Sequence, residues 1–119
     1  MIKKVAFIGH RVKDMDSAKQ FYGDLLRLPK TAEHDGKWVE FDTPDGKSIA
    51  LESFSPEGTP PYMALETDDI AAEVARLKEA GVPVLIDVMD NKVCKMAIVQ
   101  DPSGNSVMLH EIAPERAKD

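Results

Sequence analysis

A turn followed by a strand occurs twice in this chain, over residues 43–53 and 101–111. In each copy a Pro-x-Gly turn leads into an aliphatic, partly β-branched run, which is typical of a strand. The offset between the copies is 58 residues (101 − 43), close to half of the 119-residue chain. Four positions are identical in the two copies: Pro44, Gly46, Ser48 and Leu51 match Pro102, Gly104, Ser106 and Leu109. A repeat at half the chain length predicts two copies of one folding module.

The segment before the first copy predicts a strand and a helix. The strand is expected over 5–12, where β-branched and aromatic residues are concentrated. Asp14 or Asp16 can cap the helix that follows, and Pro29 ends it. Apolar residues recur in this helix at i, i+3, i+4, i+7 and i+8, which predicts one buried stripe: Ala18, Phe21, Tyr22, Leu25 and Leu26.

Three further strands are expected in the first half. A polar segment around 33–36 indicates a hairpin turn, and the strand before it has the weakest pattern of the three. Strict alternation over 37–42 and the run 48–54 indicate the other two strands. The first half therefore has the order strand, helix, strand, strand, strand.

The second half repeats that order. A strand over 62–67 is followed by a helix over 70–80, for which Asp68 or Asp69 can serve as the N-cap. The remaining strands are expected over 84–88, 95–100 and 106–112. We predict a single domain over 1–119 that contains, in order, a first module (about 4–54), a Pro- and Gly-rich linker (55–61), a second module (about 62–113) and a charged tail (114–119).

Composition excludes several classes of partner. The net charge is −6 and the sequence pI about 5.0, which argues against binding to nucleic acid or to an anionic membrane. One cysteine permits no internal disulfide and fits a reducing compartment. The apolar run 5–8 is too short for a signal peptide or a membrane span. We therefore expect a cytoplasmic protein.

Three segments resemble one known superfamily. They are 12–22, with Val12, Asp14 and the Phe21-Tyr22 pair; 68–81, which ends in Lys-Glu-Ala-Gly; and 101–105, Asp-Pro-Ser-Gly-Asn. Together they resemble the vicinal oxygen chelate superfamily, which includes glyoxalase I, extradiol dioxygenases, methylmalonyl-CoA epimerase and the bleomycin-resistance proteins. The resemblance implies an α+β fold of two βαβββ modules that form an open, curled mixed β-sheet, a half-barrel with the helices outside.

The resemblance also places a divalent metal site. In catalytic members a His, Gln or Glu from the first and last strand of each module binds one metal. The matching positions of this chain are Phe7, Ala50, Tyr62 and Met108. None is a usual ligand for a hard divalent cation, so no metal or other cofactor is expected.

A shifted metal site is the alternative. Glu52 and His110 each lie two residues beyond a family position and therefore on the same strand face. With Glu40 or Glu66 as a third ligand they predict one divalent metal. The same two residues are also the candidate catalytic pair, with His110 as a general acid or base.

Alternation along the strands predicts which residues face a ligand pocket on the concave side of the sheet. The walls are mostly apolar with a few charged groups, as in small-molecule sites. The predicted lining is Phe7, Arg11, Trp38, Glu40, Ala50, Phe54, Tyr62, Glu66, Met96, Ile98 and Met108.

The resemblance leaves two functions open. The first is a metal-independent protein that binds or sequesters a small organic ligand. The second is a metal-dependent lyase, isomerase or dioxygenase that uses the shifted site at Glu52 and His110. A homodimer is expected in either case, because unpaired strand edges favour pairing. Cys94 lies between Lys92 and Lys95, and as a lone cysteine in sequence it is expected to be passive.

Overall fold

The computed structural model describes residues 1–114 and divides them into two compact units. The N-terminal unit comprises Phe7–Pro61, and the C-terminal unit comprises Met1–Ala6 together with the chain from Tyr62 onward. The charged tail expected over 114–119 lies almost wholly outside the described residues. Among those residues, no helix is long and apolar enough to cross a membrane.

The N-terminal unit contains β2, β3, β4 and the second half of β1, in the order β2-β3-β4-β1. β1 (Ile2–Arg11) is parallel to β4 (Ser48–Glu52), and β3 (Trp38–Asp42) is antiparallel to both β4 and β2 (Lys30–His34). On one side of these strands α1 (Met15–Lys19) and a π-helical turn (Gln20–Leu25) cover the core. The buried residues of this core are Met15, Val39, Phe41 and Leu51.

The C-terminal unit repeats the arrangement. Its strand order is β5-β8-β7-β6, with β5 (Tyr62–Thr67) parallel to β8 (Ser106–Ile112). β7 (Cys94–Gln100) is antiparallel to β8 and to β6 (Val84–Asp90). Helix α2 (Ile70–Glu79) covers a core of Ile70, Val74, Ala97, Val99 and Leu109.

The two repeated turns have the same hydrogen bonds. The amide of Gly46 donates to the carbonyl of Thr43 (2.9 Å), and that of Gly104 donates to Asp101 (3.0 Å). Both glycines are left-handed, with φ of 84° and 90°, a conformation that disfavours any residue with a Cβ. The repeat in the sequence is therefore a repeat in the backbone, and the predicted fold class of two βαβββ modules in an α+β protein is confirmed.

The buried stripe predicted for the first helix is wrong in part. Tyr22 and Ala18 pack against the core, but Phe21, Leu25 and Leu26 are 47%, 69% and 51% exposed. The reason is the π-helical turn, in which the amide of Leu26 donates to the carbonyl of Phe21 five residues earlier (2.9 Å). A wider turn shifts the angular position of each later residue, so spacing based on 3.6 residues per turn no longer identifies one face.

The predicted strand over 48–54 also ends early. β4 stops at Glu52, and Phe54 follows it in an exposed segment.

Candidate functional site

In the N-terminal unit, the strand face opposite the helix contains the predicted lining residues. Val39, Phe41 and Leu51 point into the core, so alternation turns their neighbours to the other face. The parallel register pairs Gly9 with Ala50 and Arg11 with Glu52, which extends this face onto β1. Five predicted residues of β1, β3 and β4 share it: Phe7, Arg11, Trp38, Glu40 and Ala50.

Three aromatic side chains meet on that face and form what we call the aromatic cluster. The ring of Phe7 meets Trp38 edge-on at 5.4 Å, and Phe54 stacks on Trp38 at 5.9 Å with the planes 15° apart. The indole Nε1 donates to Glu40 Oε2 at 2.7 Å, which fixes the ring orientation. Phe54 is 61% exposed, so the cluster combines a buried ring with one open to solvent.

Arg11 and Glu52, at the end of this face, are tied to the segment after β4. Arg11 Nε donates to the carbonyl of Ser55 at 2.9 Å. Glu52 is fully buried and accepts hydrogen bonds from the Ser55 amide (3.1 Å) and hydroxyl. The predicted catalytic carboxylate Glu52 thus secures the start of the linker, and a role in chemistry stays a prediction.

The C-terminal unit has the equivalent face on β5, β8 and β7. Glu66 lies beside His110 in the parallel pair, and Met96 lies beside His110 in the antiparallel pair. Met108 lies between Ala64 and Ile98 in the same way, one pleat along. Tyr62 begins the face on β5 and is buried.

His110 is bound by a carboxylate on this face. Its Nδ1 lies 2.6 Å from Glu66 Oε1, and Glu66 Oε2 accepts the amide of Ile112 at 2.8 Å. Burial lowers the pKa of His110, but hydrogen bonds with Cys94 and Glu66 outweigh that effect, so the pKa lies above its usual value.

The sequence predicts Glu52 as the partner of His110, whereas in the structure Glu66 of the same unit is within hydrogen-bond distance of His110. Cys94, which the sequence predicts to be passive, lies beside His110 on this face. The signal available in the sequence was the parallel pairing of first and last strands, which aligns Glu66 with His110 once the register is known.

The four positions at which the resemblance places metal ligands do not fit a divalent metal. Phe7, Ala50, Tyr62 and Met108 are all less than a tenth exposed and offer no carboxylate, imidazole or carboxamide. For the alternative site, residues 1–114 hold no group of three or more His, Cys, Asp or Glu side chains arranged to bind a metal. Three protein ligands are the usual minimum for such a site, and the shifted metal site stays a prediction.

Two surface grooves lie elsewhere. One, of about 570 Å³, borders the π-helical turn and includes Lys19, Gly23 and Phe41 in its wall. The other, of about 280 Å³, borders α2 and includes Leu77 and Val99. Neither is lined by a predicted pocket residue, so the predicted ligand pocket stays a prediction.

Comparison with known proteins gives a family and a fold. Residues 4–109 match the model of the Glyoxalase/Bleomycin resistance protein/Dioxygenase superfamily. No curated protein matches the chain.

Solved structures share the fold at low sequence identity. Methylmalonyl-CoA epimerase from Mycobacterium tuberculosis is 20% identical, with 96% of this chain and 91% of that one covered and a TM-score of 0.77. A superfamily member from Vibrio splendidus 12B01 is 19% identical, with 95% and 100% covered and a TM-score of 0.69. The Mn(II)-bound glyoxalase from Novosphingobium aromaticivorans is 20% identical with a TM-score of 0.65, and the match covers 92% of this chain but 39% of that one.

The family model covers most of the chain, and the paired βαβββ modules agree with it. This chain belongs to the Glyoxalase/Bleomycin resistance protein/Dioxygenase superfamily.

Proposed function

We propose that this protein binds a small organic ligand without a divalent metal. The observation that carries the proposal is the set of side chains at the four family ligand positions. Phe7, Ala50, Tyr62 and Met108 are buried, apolar or aromatic, and chemically unsuited to a hard cation. Apolar walls with few polar groups are the usual composition of a small-molecule site.

The aromatic cluster supports a planar ligand. Phe54 is exposed and stacks on Trp38, so a ligand ring can stack on Phe54 or replace it against the indole. Glu40 holds the indole from its edge, so the ring is already oriented before a ligand binds. Arg11 lies on the same strand face beside Glu52, so its positive charge is offset by a neighbouring carboxylate.

Metal content tests the first part of the proposal. The purified chain is incubated with nickel, zinc, manganese or iron(II), desalted, and measured by elemental mass spectrometry. We expect less than about a tenth of an equivalent per chain, because a specific site would retain close to one. Uptake near one equivalent that is lost in both Glu52→Ala and His110→Ala would instead establish the shifted metal site, on which the alternative of a metal-dependent lyase, isomerase or dioxygenase depends.

Ligand binding is tested through Trp38, which is the only tryptophan of the chain. Bleomycin and methylmalonyl-CoA are titrated while indole fluorescence and the melting temperature are followed. We expect a saturable signal with at least one probe and a Kd weakened about 2- to 10-fold in Phe54→Ala, from the lost stacking energy. Phe21→Ala, at an exposed ring on the π-helical turn, is the matched control. No saturable signal with either probe, or equal affinity in Phe54→Ala, would contradict the proposal.

We also propose a cytoplasmic homodimer. The single cysteine fits a reducing compartment, and each unit has an edge strand, β2 or β6, that can pair with another chain. Light scattering should give twice the chain mass of 13.1 kDa, and a mass of 13.1 kDa would refute the dimer.

A further inference from the structure

Three strands of the C-terminal unit bring a thiol, an imidazole and a carboxylate onto one face. In the β7–β8 ladder Cys94 is opposite Ile112 and Met96 is opposite His110, so Cys94 is the diagonal neighbour of His110. Diagonal neighbours on one face are about 7–8 Å apart, within reach of an aromatic side chain such as that of His110. Glu66 is beside His110 on β5. The order across the face is therefore Cys94, His110, Glu66.

The carboxylate fixes the orientation of the imidazole. Both oxygens of Glu66 are engaged, one by His110 Nδ1 (2.6 Å) and the other by the amide of Ile112 (2.8 Å). Glu66 is only 8% exposed, so little water competes for these bonds. With Nδ1 held by Glu66, Nε2 is the ring nitrogen suited to exchange a proton with Cys94.

The Cys94 thiol is held on the same face as the His110 ring. Cys94 is half-buried and lies beside His110 on this face, and Asn91 Nδ2 donates to its sulfur at 3.8 Å. The backbone of the turn is also fixed, because the amide of Asn91 donates to the carbonyl of Cys94 at 2.8 Å.

The charges around Cys94 favour the thiolate. The hydrogen bond from His110 is the main reason why the pKa of the Cys94 thiol lies below its usual value; burial and the negative charge of Glu66 oppose it. Lys92 and Lys95 flank Cys94 along the chain, and Asp90 on β6 is opposite Lys95. A thiolate next to an imidazolium is the arrangement that activates a cysteine nucleophile.

We propose that Cys94, His110 and Glu66 form a thiol-addition site whose substrates are small α,β-unsaturated carbonyl compounds, with Cys94 as nucleophile, His110 as general base and acid, and Glu66 as positioning residue. This activity is distinct from ligand stacking at the aromatic cluster, because its three residues lie on β5, β7 and β8 of the C-terminal unit.

The reaction balances without a further reagent. His110 takes the thiol proton, and the Cys94 sulfur attacks the β-carbon of the alkene, which forms a C–S bond. The π electrons move onto the α-carbon and carbonyl oxygen as an enolate. The imidazolium then returns the proton to the α-carbon, so the net change is addition of S–H across the double bond. A soft sulfur nucleophile matches a soft conjugated carbon, and the nearby acid supplies the proton that this class of electrophile needs.

Acrylamide provides the test, since Cys94 is the only cysteine and each adduct is visible by intact mass. Second-order rates are measured for the full chain and for N-acetylcysteine from pH 6 to 9.5. Each rate is divided by its own high-pH plateau, which removes the effect of partial burial. We expect the normalised rate at pH 6 to exceed that of N-acetylcysteine by about tenfold or more. In His110→Gln and Glu66→Gln the profile should move toward that of the free thiol.

His34→Gln and Glu79→Gln, both at exposed positions, are the matched controls and should leave the profile unchanged. Iodoacetamide, which needs no returned proton, is run in parallel. The acrylamide-to-iodoacetamide rate ratio, relative to N-acetylcysteine, should exceed one in the native chain and approach one in His110→Gln. Circular dichroism confirms folding of each variant, and if His110→Gln does not fold, Glu66→Gln decides. A normalised rate at pH 6 no higher than that of N-acetylcysteine, or a profile unchanged in the folded variants, would overturn the proposal.

Discussion

The last strand of the N-terminal unit and the last strand of the C-terminal unit have different ionisable side chains at one position that the repeat aligns. Glu52 in β4 corresponds to His110 in β8, and their partners on the first strands are Arg11 and Glu66. In the N-terminal unit Glu52, beside Arg11, accepts hydrogen bonds from the amide and hydroxyl of Ser55. In the C-terminal unit His110 is bound by Glu66 and is next to Cys94. The same backbone position therefore holds a structural anchor in one module and a group suited to proton transfer in the other.

A second difference concerns the position of Cys94. The residue that the 58-residue offset aligns with Cys94 is Gly36, a left-handed turn glycine with φ of 66°. The N-terminal unit thus has no nucleophile at the equivalent place. Duplicated modules can diverge in chemistry without changing their ladders, because strand registers depend on backbone hydrogen bonds rather than on the side chains of one face.

The largest expected effect tests whether the two cores are equally important. Leu51 and Leu109 are equivalent and nearly fully buried, so Leu51→Ala and Leu109→Ala should each lower the free energy of unfolding by about 2–5 kcal/mol. Urea denaturation measures both. Leu25→Ala, at a side chain that is 69% exposed, is the control and should stay within about 0.5 kcal/mol. A negligible loss at either buried leucine would show that the cores are not equivalent.

The next effect is the pH dependence of stability, which distinguishes the two last strands. The pKa of His110 is raised on folding above the reference value of 6.5, so its stabilisation is complete below that pH and is lost as pH rises through the folded pKa. His110→Gln should therefore cost most at low pH, by about 1.5–3 kcal/mol for a lost charged hydrogen bond, and less at alkaline pH.

The stabilisation from Cys94 depends on pH in the opposite direction. Its pKa is lowered from the reference value of 9.0, so its stabilisation is present above that pH and is lost as pH falls through the folded pKa. Cys94→Ser isolates the histidine contribution, and His34→Gln controls for an exposed histidine. Equal cost of His110→Gln at pH 6 and pH 9 would contradict the assignment.

Smaller, and equal, effects are expected at the repeated turns. Gly46→Ala and Gly104→Ala force a Cβ into the left-handed region and should each cost about 1–2 kcal/mol in thermal or urea unfolding. Nothing lies within 4 Å of either added Cβ, so backbone strain alone sets the cost. Ser103→Ala in the second turn should change stability little, because that turn uses the Ser103 amide and not its hydroxyl. Clearly unequal losses would show that the turns are not interchangeable.

The smallest effect compares the helix N-caps. The Asp14 carboxylate accepts from two backbone amides and the Ser17 hydroxyl, whereas Asp69 accepts from the amide of Ala72. Removal of an N-cap costs about 0.5–2 kcal/mol, and we expect Asp14→Ala near the top of that range and Asp69→Ala near the bottom. Circular dichroism during urea unfolding measures both. A larger loss at Asp69 would mean that cap bonds do not set the order.

The sequence predicted the C-terminal unit better than the N-terminal one. Strands β5 and β8 have the predicted bounds, and α2 ends one residue before its predicted end. The first helix was predicted less well, because a spacing of 3.6 residues per turn cannot reveal the π-helical turn over Gln20–Leu25. The candidate site was also predicted only in part. Alternation along the strands predicted which residues share a face, but it did not predict the hydrogen-bond partner of His110.

The sequence by itself determined the two-module plan and the two Pro-x-Gly turns, because each depends on residue type at a local spacing. The resemblance to the family added which positions correspond to the family's metal ligands. Only the tertiary structure decided that Glu66, His110 and Cys94 form one cluster. His110 and Glu66 are 44 residues apart in the chain, and their contact depends on the register of a parallel strand pair. Such a register is set by which face of each strand is buried and by the connections between the strands, and both depend on how the whole unit packs.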